Sequence, residues 1–157
     1  MFRILVVDNG AIDREMIRRV LVERLGDIVE ILQATGREDA QNILSVQRID
    51  LLIADVPLSS AVVKQLVRLA RGLNEKVGVI LTSVKSGGEM AQLAVRLGAR
   101  GFLLKPFRRE KLLELVCPLV LENRDNALYE LDTLIDSLKE YRDAIAQRDE
   151  AALVALL

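Results

Sequence analysis

The sequence predicts an α/β domain built on a doubly wound parallel sheet of five strands, followed by an α-helical extension. Short β-branched or leucine-rich runs alternate with longer segments whose apolar residues recur at three- and four-residue spacing. The short runs are apolar almost throughout, as strands covered on both faces require. Glycines punctuate the order: Gly26, Gly72 and Gly98 fall where helices should end, and Thr35-Gly36 sits just before one begins.

Taken in order, the strands fall at about 3–8, 28–33, 50–55, 77–82 and 101–104. Between them, Ile12 to Leu25, Arg37 to Val46, Ala61 to Leu73 and Glu89 to Leu97 carry helical periodicity, and a fifth helix follows from about Arg109 to Cys117. Five strands and five helices in alternation make one doubly wound domain, placed at residues 1–121. After Pro118 no strand signal remains. Leu128, Leu131, Ile135, Leu138 and Ile145 mark one helical stripe, flanked by Ala127, Leu134 and Tyr141. Residues 122–157 therefore read as a helical extension, a long amphipathic helix and a short one, with Asp149 as N-cap of the last piece, AALVALL. So apolar a stripe must be covered, either by self-association, most simply a two-fold homodimer through these C-terminal helices, or by folding back onto the chain's own doubly wound domain. The first is the expectation, because that domain's helices already cover both sheet faces.

Composition prunes the function classes. The chain has 157 residues, enough for one full domain and an appendage. It contains no histidine, which excludes a histidine metal site, a Ser-His-Asp triad and a phosphorelay histidine within this chain. No apolar run approaches the roughly 20 residues of a membrane span. The single Cys117, in apolar LLELVCPLV, reads as an inert core thiol and fits a reducing cytoplasm. Residues 1–118 carry 18 Lys/Arg against 14 Asp/Glu, whereas 119–157 carry 4 against 9. An acidic tail is ill suited to phosphate backbones, so no nucleic-acid binding is expected of it.

The chemistry gathers at strand ends. Lys105 and Pro106, in GFLLKPF, follow an apolar run directly, and a lysine at the tip of a buried strand needs an anionic partner. Three other runs supply polar groups: ILVVDN ends at Asp8 and Asn9, LLIAD at Asp55, and GVILTS at Thr82 and Ser83. Each residue alone reads equally as a strand terminator or helix N-cap. As a set they place carboxylates, a hydroxyl and a lysine at the carboxyl edge of one sheet, where such folds bind ligands. That combination suits a phosphate and a hard metal ion.

In this order and spacing, ILVVDN, DLLIAD, ILTS and GARGFLLKPF resemble the receiver domain of two-component response regulators, over about residues 1–118. The resemblance implies a flavodoxin-like receiver fold with Asp55 as phosphoacceptor, a carboxylate nucleophile that forms an acyl phosphate. It implies Mg²⁺ held by Asp8, Asp55 and the carbonyl of Pro57, with Asn9 able to add an amide oxygen. Lys105 would pair with a phosphoryl oxygen and Ser83 would hydrogen-bond another, moving its loop. Anchoring on Gly98-Ala99 selects Ser83 as the hydroxyl residue, with Thr82 as the fallback. Phe102 matches the aromatic switch position and reads equally well as core. The implied partner is a sensor histidine kinase or phosphotransfer protein, and the implied activity is that of a switch with weak autophosphatase behaviour, not an enzyme.

Two positions depart from the family's pattern. Asn9 stands where a second acid is usual, which should weaken Mg²⁺ binding. Pro57 comes two residues after Asp55 instead of four, implying a two-residue deletion beside the nucleophile. These departures favour a rival, a degenerate receiver used as a docking or dimerisation module without phosphoryl chemistry; Asp55, Ser83 and Lys105 oppose it. A third class, another doubly wound enzyme or cofactor binder, lacks support. DNGAIDRE offers no Ser/Thr/Gly-rich phosphate turn, and base-off cobalamin binding needs a histidine.

Overall fold

The computed structural model describes residues 1–56, 59–85 and 87–147. Five strands lie among them: β1 (Phe2–Val7), β2 (Val29–Ala34), β3 (Leu51–Asp55), β4 (Gly78–Ser83) and β5 (Gly101–Leu104). All pair in parallel, in the order β2-β1-β3-β4-β5. The helices are α1 (Ala11–Leu25), α2 (Arg37–Val46), α3 (Ser60–Leu73), α4 (Gly88–Leu97) and α5 (Arg109–Ala146). A short 3-10 turn, Gly26–Ile28, joins α1 to β2. The predicted doubly wound architecture is thus observed, and no strand boundary differs from expectation by more than one residue.

The apolar runs become strands because both faces are covered. Every residue of β3 is buried, and Ile4, Leu5, Leu51, Leu52, Ile53, Ile80 and Leu81 are almost wholly removed from water. Each such side chain contributes about 1.5–3 kcal/mol on burial. One face packs against Ala40 and Leu44 of α2, Val63, Leu66, Val67 and Ala70 of α3, and Leu93 and Leu97 of α4. The chain enters at β1, adds β2 on one side and then crosses to β3 on the other. That reversal opens a crevice beyond the ends of β1 and β3.

Helix ends show where local reading sufficed. Gly26 closes α1 at φ 51°, its N–H reaching the carbonyl of Val22, and Gly98 closes α4 in the left-handed region at φ 63°. Gly72 does not end its helix. The stop belongs to Asn74, whose amide Nδ2 donates to the Ile49 carbonyl (3.0 Å) and whose Oδ1 accepts from the Lys76 N–H (3.1 Å). A buried side chain tied to a neighbouring element overrides the local glycine signal.

The larger correction concerns α5, expected to stop at Cys117. It runs through Pro118 to Ala146, 38 residues in all. Proline removes one helical N–H and crowds the carbonyl four residues back, here that of Glu114, yet it does not end this helix. Packing divides the chain into two compact units, Met1–Leu119 and Val120–Leu157. In the second, the apolar stripe is exposed: Leu128 by 58%, Leu131 by 51%, Leu138 by 59% and Ile145 by 50%. The expected final short helix and its Asp149 cap lie outside the described residues. Among the described residues, no helix is long and apolar enough to cross a membrane.

Candidate functional site

Asp8 follows the last residue of β1, and its N–H continues the ladder to the Ala34 carbonyl (3.1 Å). Asp55 is the last residue of β3. Both are nearly inaccessible, because they terminate the two central strands that flank the crevice. Lys105 follows β5, and its N–H donates to the Ser83 carbonyl (2.7 Å), fixing its stem beside β4. The peptide bond to Pro106 is cis.

From the edge strand the lysine reaches back across the sheet. Its Nζ donates to Asp8 Oδ2 (2.6 Å) and to Asp13 Oδ2 (3.1 Å), and lies 3.3 Å from Asp55 Oδ1. One ammonium therefore faces three carboxylates, two of them buried. Burial pushes the Asp55 carboxyl above its ordinary pKa, and the charge of Asp8 pushes the same way against the pull of Lys105. For Lys105, burial opposes the charged form, but hydrogen bonds to Asp8 and Asp13 and the charges of Asp55 and Asp8 outweigh it, leaving the pKa raised.

The hydroxyl beside Asp55 comes from Thr82, whose Oγ1 donates to Asp55 Oδ1 (3.2 Å). Thr82 is the register partner of Asp55 across β3 and β4, so its side chain stands on the same face. Ser83, buried too, accepts the Lys85 N–H at its Oγ (3.0 Å) and lines a cleft with Lys64, Lys85 and Arg96. The structure thus brings Asp8, Asp55 and Lys105 together and adds Thr82, while Ser83 borders the site from the next position. Phe102 lies in β5 beside Leu81, half-buried against the main core.

Asn9 is exposed, and Pro57 lies outside the described residues. Sequence reasoning missed Asp13. The available signal was its place in the first turn of α1, five residues after Asp8, where a carboxylate also suits the helix N-terminus. Asp8 is held from the other side by the Gly10 N–H on Oδ1 (2.8 Å), and the Arg14 guanidinium donates to its backbone carbonyl (2.7 Å).

The donor set fits a hard divalent cation: carboxylate oxygens of Asp8 and Asp55, with Asp13 at the rim. Among the described residues no group of three acidic side chains is arranged to hold a metal ion, and the Lys105 ammonium lies between these carboxylates.

A doubly wound fold with an acidic pocket at its switch point, closed by a lysine from the edge strand, defines the class. The chain belongs to the response regulator receiver domain family, whose model matches residues 4–117. It is 30% identical over 119 residues to Protein CcdB of Bacillus subtilis (strain 168), spanning 74% of this chain and 95% of that one. A response regulator structure from Thermotoga maritima superposes with a TM-score of 0.66 at 27% identity, covering 76% of this chain and 98% of the other. A second, from Burkholderia pseudomallei, described with a phosphorylated aspartic acid, calcium ion and citrate, covers 100% of this chain and 98% of its own. At 19% identity and a TM-score of 0.62 it supports the fold alone.

Proposed function

We propose that this receiver is switched by phosphorylation of Asp55, with a sensor histidine kinase or phosphotransfer protein as donor. The observation that carries the proposal is the setting of Asp55, a buried carboxylate at the end of a central strand with Lys105 and Thr82 both on its Oδ1. In the transfer, an Asp55 oxygen attacks phosphorus in line while the bond from phosphorus to the donor imidazole breaks. The imidazole nitrogen keeps that electron pair and takes a proton, and Asp55 becomes an acyl phosphate. Lys105 then exchanges a carboxylate contact for a phosphoryl oxygen. Thr82 already donates its hydroxyl to the same Asp55 oxygen, and Ser83 borders the site from the next position. When bound by Asp8, Asp55 and the chain at Pro57, Mg²⁺ would supply positive charge against the phosphoryl oxygens.

The protein then acts as a switch with weak autophosphatase behaviour and not as an enzyme. We place it in the reducing cytoplasm, on its lone Cys117, and read it as a homodimer through the exposed stripe of α5. A second reading is a degenerate receiver serving as a docking module. Asn9, neutral and exposed, favours it. Intact-mass spectrometry with acetyl phosphate and Mg²⁺ tests the choice. The expected result is one added phosphoryl group on the wild type and none on Asp55→Asn. Equal labelling of the two, or none on the wild type, would reject Asp55 as acceptor and leave the docking reading.

A further inference from the structure

We infer that the exposed stripe of α5 pairs with a second copy in antiparallel fashion, about a two-fold axis level with Thr133. The inference rests on the proposed self-association and adds its geometry. Leu121, Leu128, Ile135 and Arg142 recur every seventh residue, and Arg124, Leu131, Leu138 and Ile145 follow each by three. These are the two seam rows of a paired helix. A third row beside them, Ala127, Leu134 and Tyr141, is apolar, and the opposite flank carries Asp125, Asp132 and Lys139.

The flanks decide orientation, because each meets a different neighbour in the two arrangements. In a parallel pair the apolar flank faces the charged one. Ala127 would then lie against Asp132 of the second copy and Leu134 against Lys139, which leaves apolar surface beside charge and forms no ion pair. In an antiparallel pair each flank meets its own kind. Asp125 falls opposite Lys139 twice, Leu134 meets Leu134, and the small Ala127 faces the large Tyr141. Within the seam, Leu128 meets Leu138 and Leu131 meets Ile135, each pair equidistant from Thr133. Arginines close both ends in either arrangement, so they do not discriminate; Arg142 lies 3.4 Å from Asp143. Antiparallel helix dipoles also attract. Besides Arg124 meeting Arg142 at each end, one like-charge contact opposes this arrangement, Asp132 against its own copy at the axis.

The test uses the full chain in a Cys117→Ser background. Light scattering at tens of micromolar should report a dimer, and Leu131→Glu with Leu138→Glu should return it to monomer with unchanged circular dichroism. A wild-type monomer would overturn both the self-association and its geometry. A dimer that survives the two glutamates would place the interface elsewhere and overturn both as well.

Orientation is then read by oxidative cross-linking. Leu128→Cys chains alone should not link, because their two cysteines lie about 15 Å apart along the axis, whereas a mixture with Leu138→Cys chains should link across. A Leu128→Cys chain that links to itself would leave the dimer standing and overturn the antiparallel arrangement. Asp132→Asn should tighten the dimer about threefold by removing the like-charge contact; an unchanged affinity would count against the axis at Thr133.

Discussion

Replacing Lys105 with methionine should expose how the pocket is balanced. Nζ lies 2.6 Å from Asp8, 3.1 Å from Asp13 and 3.3 Å from Asp55. Methionine keeps most of the stem's volume and removes the ammonium, its charge and its hydrogen bonds to Asp8 and Asp13. The Asp13 contact contributes well under 1 kcal/mol, since that side chain is 46% exposed. Asp8 and Asp55 are 3% and 4% exposed, and removing one member of a buried ion pair costs about 3–5 kcal/mol. The expected loss at neutral pH is about 3 kcal/mol, the lower end of that range, or roughly 12 °C in Tm for a domain of this size. The pH dependence has a definite sign. The Asp55 pKa is already raised, first by burial and then by Asp8, and it rises further without the ammonium. A carboxyl with a raised folded-state pKa destabilises the fold above that pKa, and the cost is relieved as pH falls through it. Urea unfolding of wild type and Lys105→Met, at neutral and at mildly acidic pH, measures both quantities. A loss below about 1 kcal/mol, or a loss that grows on acidification, would refute this account of the pocket.

Three other substitutions probe neighbouring points. Asp55→Asn should stabilise the apo protein by about 1 kcal/mol at neutral pH, and the gain should vanish as pH falls below the raised Asp55 pKa; thermal melts across pH follow it. Asn9→Asp should tighten Mg²⁺ binding, read by titration calorimetry, because another carboxylate joins a hard-cation site; unchanged affinity would show that residue 9 does not reach the ion. Gly101→Ala should cost about 1–3 kcal/mol, since its Cβ would stand 2.6 Å from a Leu115 methyl. Combined with Leu115→Ala in a double-mutant cycle, it should lose less than the sum of the two single changes.

Much of this protein is legible in its sequence because burial on both faces leaves short, nearly continuous apolar runs between helical segments. LLIAD and GVILTS are apolar up to their ends since each strand is covered above and below, and their polar last residues, buried themselves, mark the edge where the sheet opens into the crevice. Asp8, Asp55 and Lys105 could be nominated from such ends alone. The tertiary structure decided what touches what. Thr82 and Ser83 are adjacent in sequence but point to opposite faces, and the register of β4 against β3 sets Thr82 beside Asp55. Asp13 lies in the first turn of α1, five residues after Asp8, but that it shares the Lys105 ammonium is decided by the lysine reaching back from the end of β5. The end of α3 depends on Asn74 reaching the Ile49 carbonyl, and α5 passes Pro118, where local propensity predicts a stop. In each case a contact between residues distant in sequence, or the continuation of a packed helix, outweighs a preference of about 1–3 kcal/mol held by a single residue. A chain read one segment at a time shows those preferences; the balance against them is struck only when the segments meet.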